Sequence, residues 1–162
     1  VSLYKGGIKL NMRIEQLNKE LDYQEYIKKI IELWNMNAIE TAQCELDESD
    51  RMGIWEQLEQ FVQSKYDAVF VVSDEGSNMI GYGVVSIKQD LVTDMLYGQI
   101  DEVYIREEYR RQQIAKNVVE HLMRWLNQEG ISAVHVNVEN KLALDFWENT
   151  GFEKEFFLLS NS

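Results

Sequence analysis

The chain of 162 residues contains no proline, a single cysteine and only two histidines. One thiol, Cys44, excludes a disulfide framework, and His121 and His135 show no recognisable metal-ligand spacing. No metal is therefore expected, and a reducing cytoplasm is the expected compartment. Positive charge is also scarce: 16 Lys and Arg stand against 28 Asp and Glu, a formal net charge of −12. That balance argues against nucleic acid, whose phosphates are neutralised by Lys and Arg, and leaves room for a cationic partner. No apolar run approaches the ~20 residues of a membrane span, so no membrane partner is expected.

What is present is 45% hydrophobic residues, enough for one sizeable core. A single domain is expected over residues 12–162. Residues 1–11 show no clear period and read as a leader or arm. MRIEQL, from Met12, suits a strand. Tyr23, Ile27, Ile30, Ile31 and Trp34 fall at helical spacing, as do Met52, Trp55, Leu58, Phe61 and Val62. Between these two helices AIETAQCELDESDR reads as an acidic loop.

AVFVVS, the turn residues DEGSN, and MIGYGVVSI form a hairpin, in which Gly81 and Gly83 signal a bulge or a close backbone approach. YGQIDEVYI is a third long strand. The next helix carries Ile114, Val118, Leu122 and Leu126 on one face and ends at Gly130. AVHVNV alternates as a strand, Asn140 is an N-cap for a short helix closed by Gly151, and FEKEFFLL reads as a last strand. The order is βααβββαβαβ, an α/β (α+β) fold with a mixed, mostly antiparallel sheet flanked by helices.

The junction YRRQQIAKN joins a strand to a helix. By its residues alone it is either an anion-binding turn, using the unpaired N–H groups and positive end of the helix, or an ordinary helix start with solvated basic side chains. A nucleotide-binding P-loop is disfavoured, because the Gly-Lys-Ser/Thr ending is missing.

Together GYGVVSI, IDEVYIREEYRRQQIAKNVV and VNVENKLALDFWENTGF resemble the GNAT superfamily of acyl-CoA-dependent N-acetyltransferases. The family loop Arg/Gln-x-x-Gly-x-Gly/Ala is matched by Arg110, Arg111, Gln112, Gln113, Ile114 and Ala115, with glutamine at the middle glycine as in some aminoglycoside acetyltransferases. The Asn-x-x-Ala-x-x-Phe-Tyr run is matched by Asn140, Ala143, Phe146 and Trp147. Trp147 stands where many members have the tyrosine that protonates the departing thiolate, and indole cannot donate such a proton; core packing is its simpler role.

The resemblance implies acetyl-CoA as cosubstrate, with pantetheine on the backbone of Val103, Tyr104 and Ile105. It places the remaining cofactor contacts at Arg110 to Ala115, Lys116, Asn140 and Phe146. It further implies direct attack by a primary amine, with Asp101 or Glu102 as base. Two-residue alternation expects these two carboxylates on opposite faces of the strand. Glu40, Glu45, Asp47, Glu48 and Asp50 form an acidic rim for a cationic acceptor such as an aminoglycoside, a polyamine or a lysine-rich peptide. The alternative is a non-catalytic CoA-binding or interaction module on the same fold. A homodimer stays open.

Overall fold

The structure is a computed structural model, and it describes residues 2–5, 8–20, 22–156 and 159–161. Five strands form the central sheet in the order β3-β4-β5-β6-β7: β3 Arg13–Gln16, β4 Asp67–Ser73, β5 Met79–Gln89, β6 Leu96–Ile105 and β7 Val134–Val136. The first four are antiparallel, and β7 runs parallel to β6. The helices are α1 Tyr23–Ala42, α2 Glu48–Gln63, α3 Ile114–Gln128 and α4 Lys141–Asn149.

Each face of the sheet carries its own core. On one side Ile27, Ile30 and Ile31 of α1 and Leu58 of α2 pack on Val69, Val71, Tyr82, Val84 and Tyr104. On the other, Val118, Leu122 and Leu126 of α3 and Trp147 of α4 pack on Phe70, Val85, Ile100 and Ile105. The helical stripes expected for α1 and α3 are the buried ones, because a 3.6-residue period aligns them on one face. In α2, Met52 is 60% exposed and falls outside the packed stripe.

Two expectations need correction, the acidic loop and the last strand. Within the expected arm, β1 Ser2–Lys5 pairs antiparallel with β2 Ile8–Asn11 in a sheet separate from the central one. Its sequence signal was a Gly-Gly dipeptide between β-forming residues, which a search for periodicity passes over. The acidic loop shrinks to residues 43–47, since α1 runs on to Ala42 and α2 starts at Glu48. Asp47 and Asp50 form a reciprocal capping box, each side chain accepting from the other's backbone N–H. Acidic residues belong there because the first turn of a helix presents unpaired N–H groups and partial positive charge.

The last strand of the expected order is not formed among the described residues. Residues 152–156 have no regular structure, and Phe157 and Leu158 lie outside the described residues. β7 is only three residues long and pairs with β6 on one edge, so this end of the sheet offers little ladder for a further strand to extend.

The glycine expectation holds in both its forms. Val72 pairs with Gly81 and Ser73 with Met79, which leaves Ile80 as a bulge beside Gly81. A Cβ on Gly81 would lie 2.5 Å from the Tyr104 carbonyl oxygen, and one on Gly83 would lie 2.8 Å from Val118 Cγ1. Gly81→Ala and Gly83→Ala should therefore each destabilise the fold by about 1–3 kcal/mol, as overpacking does. Gly81→Ala should be the worse, because backbone cannot rotate away. Urea unfolding measures both, and wild-type stability in Gly81→Ala would mean that β5 and β6 lie further apart than described.

Candidate functional site

The site is organised by a second bulge. Val84 pairs with Glu102 while Val85 pairs with Ile100, so Asp101 is an extra residue in β6. A bulge inverts the alternation beyond it. Ile100 lies in the α3-side core, yet Tyr104 lies in the α1-side core. Glu102 is turned toward α1, where Asn37 Nδ2 donates to its Oε1 at 2.9 Å.

Asp101 is on that same side. It accepts hydrogen bonds from Ser86 Oγ and from Gln99 Nε2. Ser86 pairs with Asp67, two residues before Val69 of the α1-side core. The two carboxylates thus share one face of the sheet, which corrects the expectation of opposite faces.

The bulge also decides which backbone groups are free. Gly98 donates to Ala133 O at 2.8 Å, toward β7, whereas Arg106 donates to Ile80 O at 2.8 Å, toward β5. Counting back in twos from Arg106, Tyr104 and Glu102 bond to β5, and the N–H and C=O groups of Val103 and Ile105 point to the opposite edge. The parallel ladder there covers only Gly98–Ile100 against Val134–Val136. Beyond it β6 and the chain after β7 share no ladder, and apart from Ile105 O, which accepts from Arg110 Nε, the outward main-chain groups of Val103 and Ile105 are open to an extended amide-bearing ligand.

After β6 comes a 3-10 turn, Glu107–Tyr109, and then α3. Arg111 and Gln113 have φ of 61° and 62°, and Gln113 is the N-cap of α3, with no side-chain cap. Its left-handed backbone is the conformation a glycine adopts most easily, which accounts for glycine being usual there. No acidic residue lies in the first turn of α3. Ile114 is buried at 2% exposure, and Ala115 is half-buried. Arg111 and Lys116 are exposed and make no ion pair among the described residues. The helix end is thus compatible with an anion. Gln112 instead turns back toward the Glu108 carbonyl at 3.5 Å.

Other residues singled out from sequence are spent differently. Arg110 donates from Nε to Ile105 O at 2.8 Å and through a terminal nitrogen to Glu40 Oε2 at 2.6 Å. The Oδ1 of Asn140 accepts from Ala143 N at 2.8 Å as the cap of α4. Phe146 is half-buried, edge-on to Trp147, which in turn packs edge-on against Phe152 in the core. Of the acidic rim, Glu40 is engaged by Arg110 and by Tyr104 Oη at 2.7 Å. Asp47 and Asp50 serve the α2 cap, while Glu45 is exposed.

Burial pushes the Glu102 carboxyl up to about 7. The charge of Glu139, after β7, adds to this, the Asn37 hydrogen bond opposes it, and Asp101 contributes further in the same direction. Asp101 is also raised, first by burial, against the hydrogen bond from Ser86. The Tyr82 hydroxyl is buried without a hydrogen-bond partner among the described residues. Its ring stacks on Trp34 at 5.5 Å. Burial, with the charge of Glu102, keeps this phenol well above its ordinary value.

Sequence reasoning missed Asn37 and Glu139. Asn37 had a signal, because it continues the Ile27, Ile30, Trp34 stripe as a polar residue on an apolar face. Glu139 had none, since only the fold brings it near Glu102.

The sequence profile of the acetyltransferase (GNAT) family matches residues 27–152. No curated protein matches the chain. Among solved structures, aminoglycoside N-acetyltransferase AAC(6')-Iy in complex with CoA has a TM-score of 0.74 at 18% identity, covering 94% of this chain and 95% of that one. AAC(6')-Iy with the bisubstrate analogue CoA-S-monomethyl-acetylneamine gives 0.71 at 19%, covering 94% and 98%. Glucosamine-6-phosphate N-acetyltransferase from Arabidopsis thaliana gives 0.70 at 21%, again covering 94% and 98%. At these identities the likeness is one of fold.

The raised Glu102 carboxyl makes a stability prediction. A carboxyl that holds its proton more tightly when folded contributes stability that is fully present below its unfolded value, 4.5, and is lost as pH rises through about 7. Glu102→Gln keeps an acceptor for Asn37 without the charge. The variant should lose less stability than wild type between pH 5 and pH 8 and be the more stable of the two at pH 8. Equal pH dependence in denaturant titrations would show that Glu102 is solvated.

Proposed function

The chain belongs to the GNAT acetyltransferase family, and we propose that it moves the acetyl group of acetyl-CoA to a primary amine of a cationic small molecule or lysine-rich peptide by direct attack. The observation that carries the reading is the bulge at Asp101. One irregularity frees the Val103 and Ile105 backbone on an open edge and sets a high-pKa carboxylate, Glu102, on the same strand.

The residues fit the donor substrate. An extended amide-bearing arm matches the alternating donors and acceptors of Val103 and Ile105. A pyrophosphate matches the uncapped N-terminus of α3, with Arg111 and Lys116 adding charge. Arg110 adds no free donor there, its N–H being spent on Glu107 O and its side chain on Ile105 O and Glu40. Asn140 and Phe146 support this end of the site by starting and seating α4.

An amine is mostly protonated near neutral pH and must lose a proton before or during attack. A carboxylate titrating near 7 is matched to that task, directly or through a water. The ammonium first gives one proton to Glu102; the free amine then forms the N–C bond, and as the C–S bond breaks the second nitrogen proton passes to the departing thiolate, leaving the amide and the free thiol. Asp101, held by Ser86 and Gln99, fits the role of anchoring the bulge better than that of base. The Glu102, Asp101 and Glu139 charges favour a cationic acceptor.

Two measurements test the proposal. Acetyl-CoA should raise the melting temperature, as any ligand of the native state does. Ala115→Glu should weaken that effect by adding bulk and like charge near the phosphates, whereas Gln113→Gly should retain it, since main-chain groups do the binding. With an amine panel of neamine, spermidine and a lysine peptide, kcat/KM should fall on an acid limb near pH 7. Glu102→Gln should cost about 10²-fold or more, the usual cost of removing a general base. Firm CoA binding with no turnover of any amine would favour the non-catalytic module, which the buried Trp147 at the family's acid position makes the competing reading.

A further inference from the structure

The last turns of α1 are tied to β6 by two links on one helix face. Asn37 Nδ2 donates to Glu102 at 2.9 Å. Three residues on, Glu40 accepts from Tyr104 Oη at 2.7 Å on one carboxylate oxygen and from Arg110 at 2.6 Å on the other. The Arg110 guanidinium lies 5.4 Å from the Tyr104 ring centroid, in cation–π contact, and its Nε donates to Ile105 O at 2.8 Å. A single side chain thus joins the open edge of β6 to the end of α1.

Glu40 is badly placed for its own helix. It lies in the last turn of α1, where no basic residue is present and where the helix dipole disfavours a negative charge. The two donors from β6 and the turn after it offset that repulsion, so the order of the final turn depends on Arg110 staying in place. The carbonyl held by Arg110 belongs to the same edge proposed to bind the donor substrate. A hydrogen-bond donor arriving at Ile105 O must share that oxygen with Arg110 or displace it.

We infer that Arg110 and Glu40 are a positioning pair that couples occupancy of the β6 edge to the C-terminal turns of α1, and through Asn37 to Glu102. The inference rests on the reading of that edge as the donor site. Its consequence is a linkage: CoA on β6 alters how firmly α1 holds the carboxylate that accepts the proton.

The experiment is amide hydrogen exchange over residues 36–42, with and without CoA, in wild type, Glu40→Gln and Arg110→Lys. In wild type CoA should change the exchange rates there by about fivefold or more, the lower range of coupling between linked sites. Glu40→Gln keeps an acceptor for Tyr104 but loses the ion pair, and lysine cannot hold Ile105 O and Glu40 together as a guanidinium does. Glu40→Gln should still bind CoA by calorimetry, both variants should lose the exchange response, and the acid limb assigned to Glu102 should shift in both. A merely structural pair would alter exchange without CoA and leave that limb in place, which would overturn the inference. So would CoA binding to wild type with unchanged exchange over residues 36–42. No CoA binding to wild type would instead overturn the donor-site reading, and the coupling with it.

Discussion

Everything at the site depends on one extra residue, Asp101, in the ladder between β5 and β6. Before it, Gly98 and its neighbours spend their outward groups on β7; after it, the outward groups of Val103 and Ile105 meet no ladder. The same shift carries Tyr104 and Glu102 to the α1 side of the sheet. Ser86 and Gln99 hold the Asp101 carboxylate, and these bonds give the irregularity a fixed place. A regular strand would have turned Glu102 toward α3, away from Asn37.

The junction between β6 and α3 keeps its backbone geometry with glutamine where the family motif has glycine. A left-handed Gln113 at the N-cap leaves the first N–H groups of α3 uncapped by any side chain, which is what an anion needs. Its strain is of the order of 1–2 kcal/mol, an amount that the burial of Ile114 and Val118 readily offsets. Positive side chains matter less than their number implies, because Arg110 is turned back to Glu40.

The negative charge of the chain likewise divides into two kinds. Around the α1–α2 connection it caps a helix and holds an arginine. Around the C-terminal half of β6 it is concentrated on Glu102 and Asp101, where burial makes each charge costly and, with the charge of exposed Glu139 adding to it, raises Glu102 to about 7. Only the second kind is held away from solvent, because exposed carboxylates are screened by water and salt.

The order of elements from Arg13 to Asn149, both apolar faces of α1 and α3, the Asn140 cap and the close approach at Gly81 and Gly83 were legible in the sequence. Each is set by periodicity or by local backbone chemistry within a few residues. The family motifs located the edge and the loop for the same reason: both lie on one continuous stretch, residues 98–117. What tertiary structure alone decided was the bulge, the pairing of Glu102 with Asn37, the approach of Glu139 and the turn of Arg110 toward Glu40. A bulge is a property of two strands in register, and its inversion of faces cannot be counted from one strand by itself. Residues 37 and 102, or 40 and 110, meet because α1 lies across β5 and β6, and no local rule of spacing carries that contact.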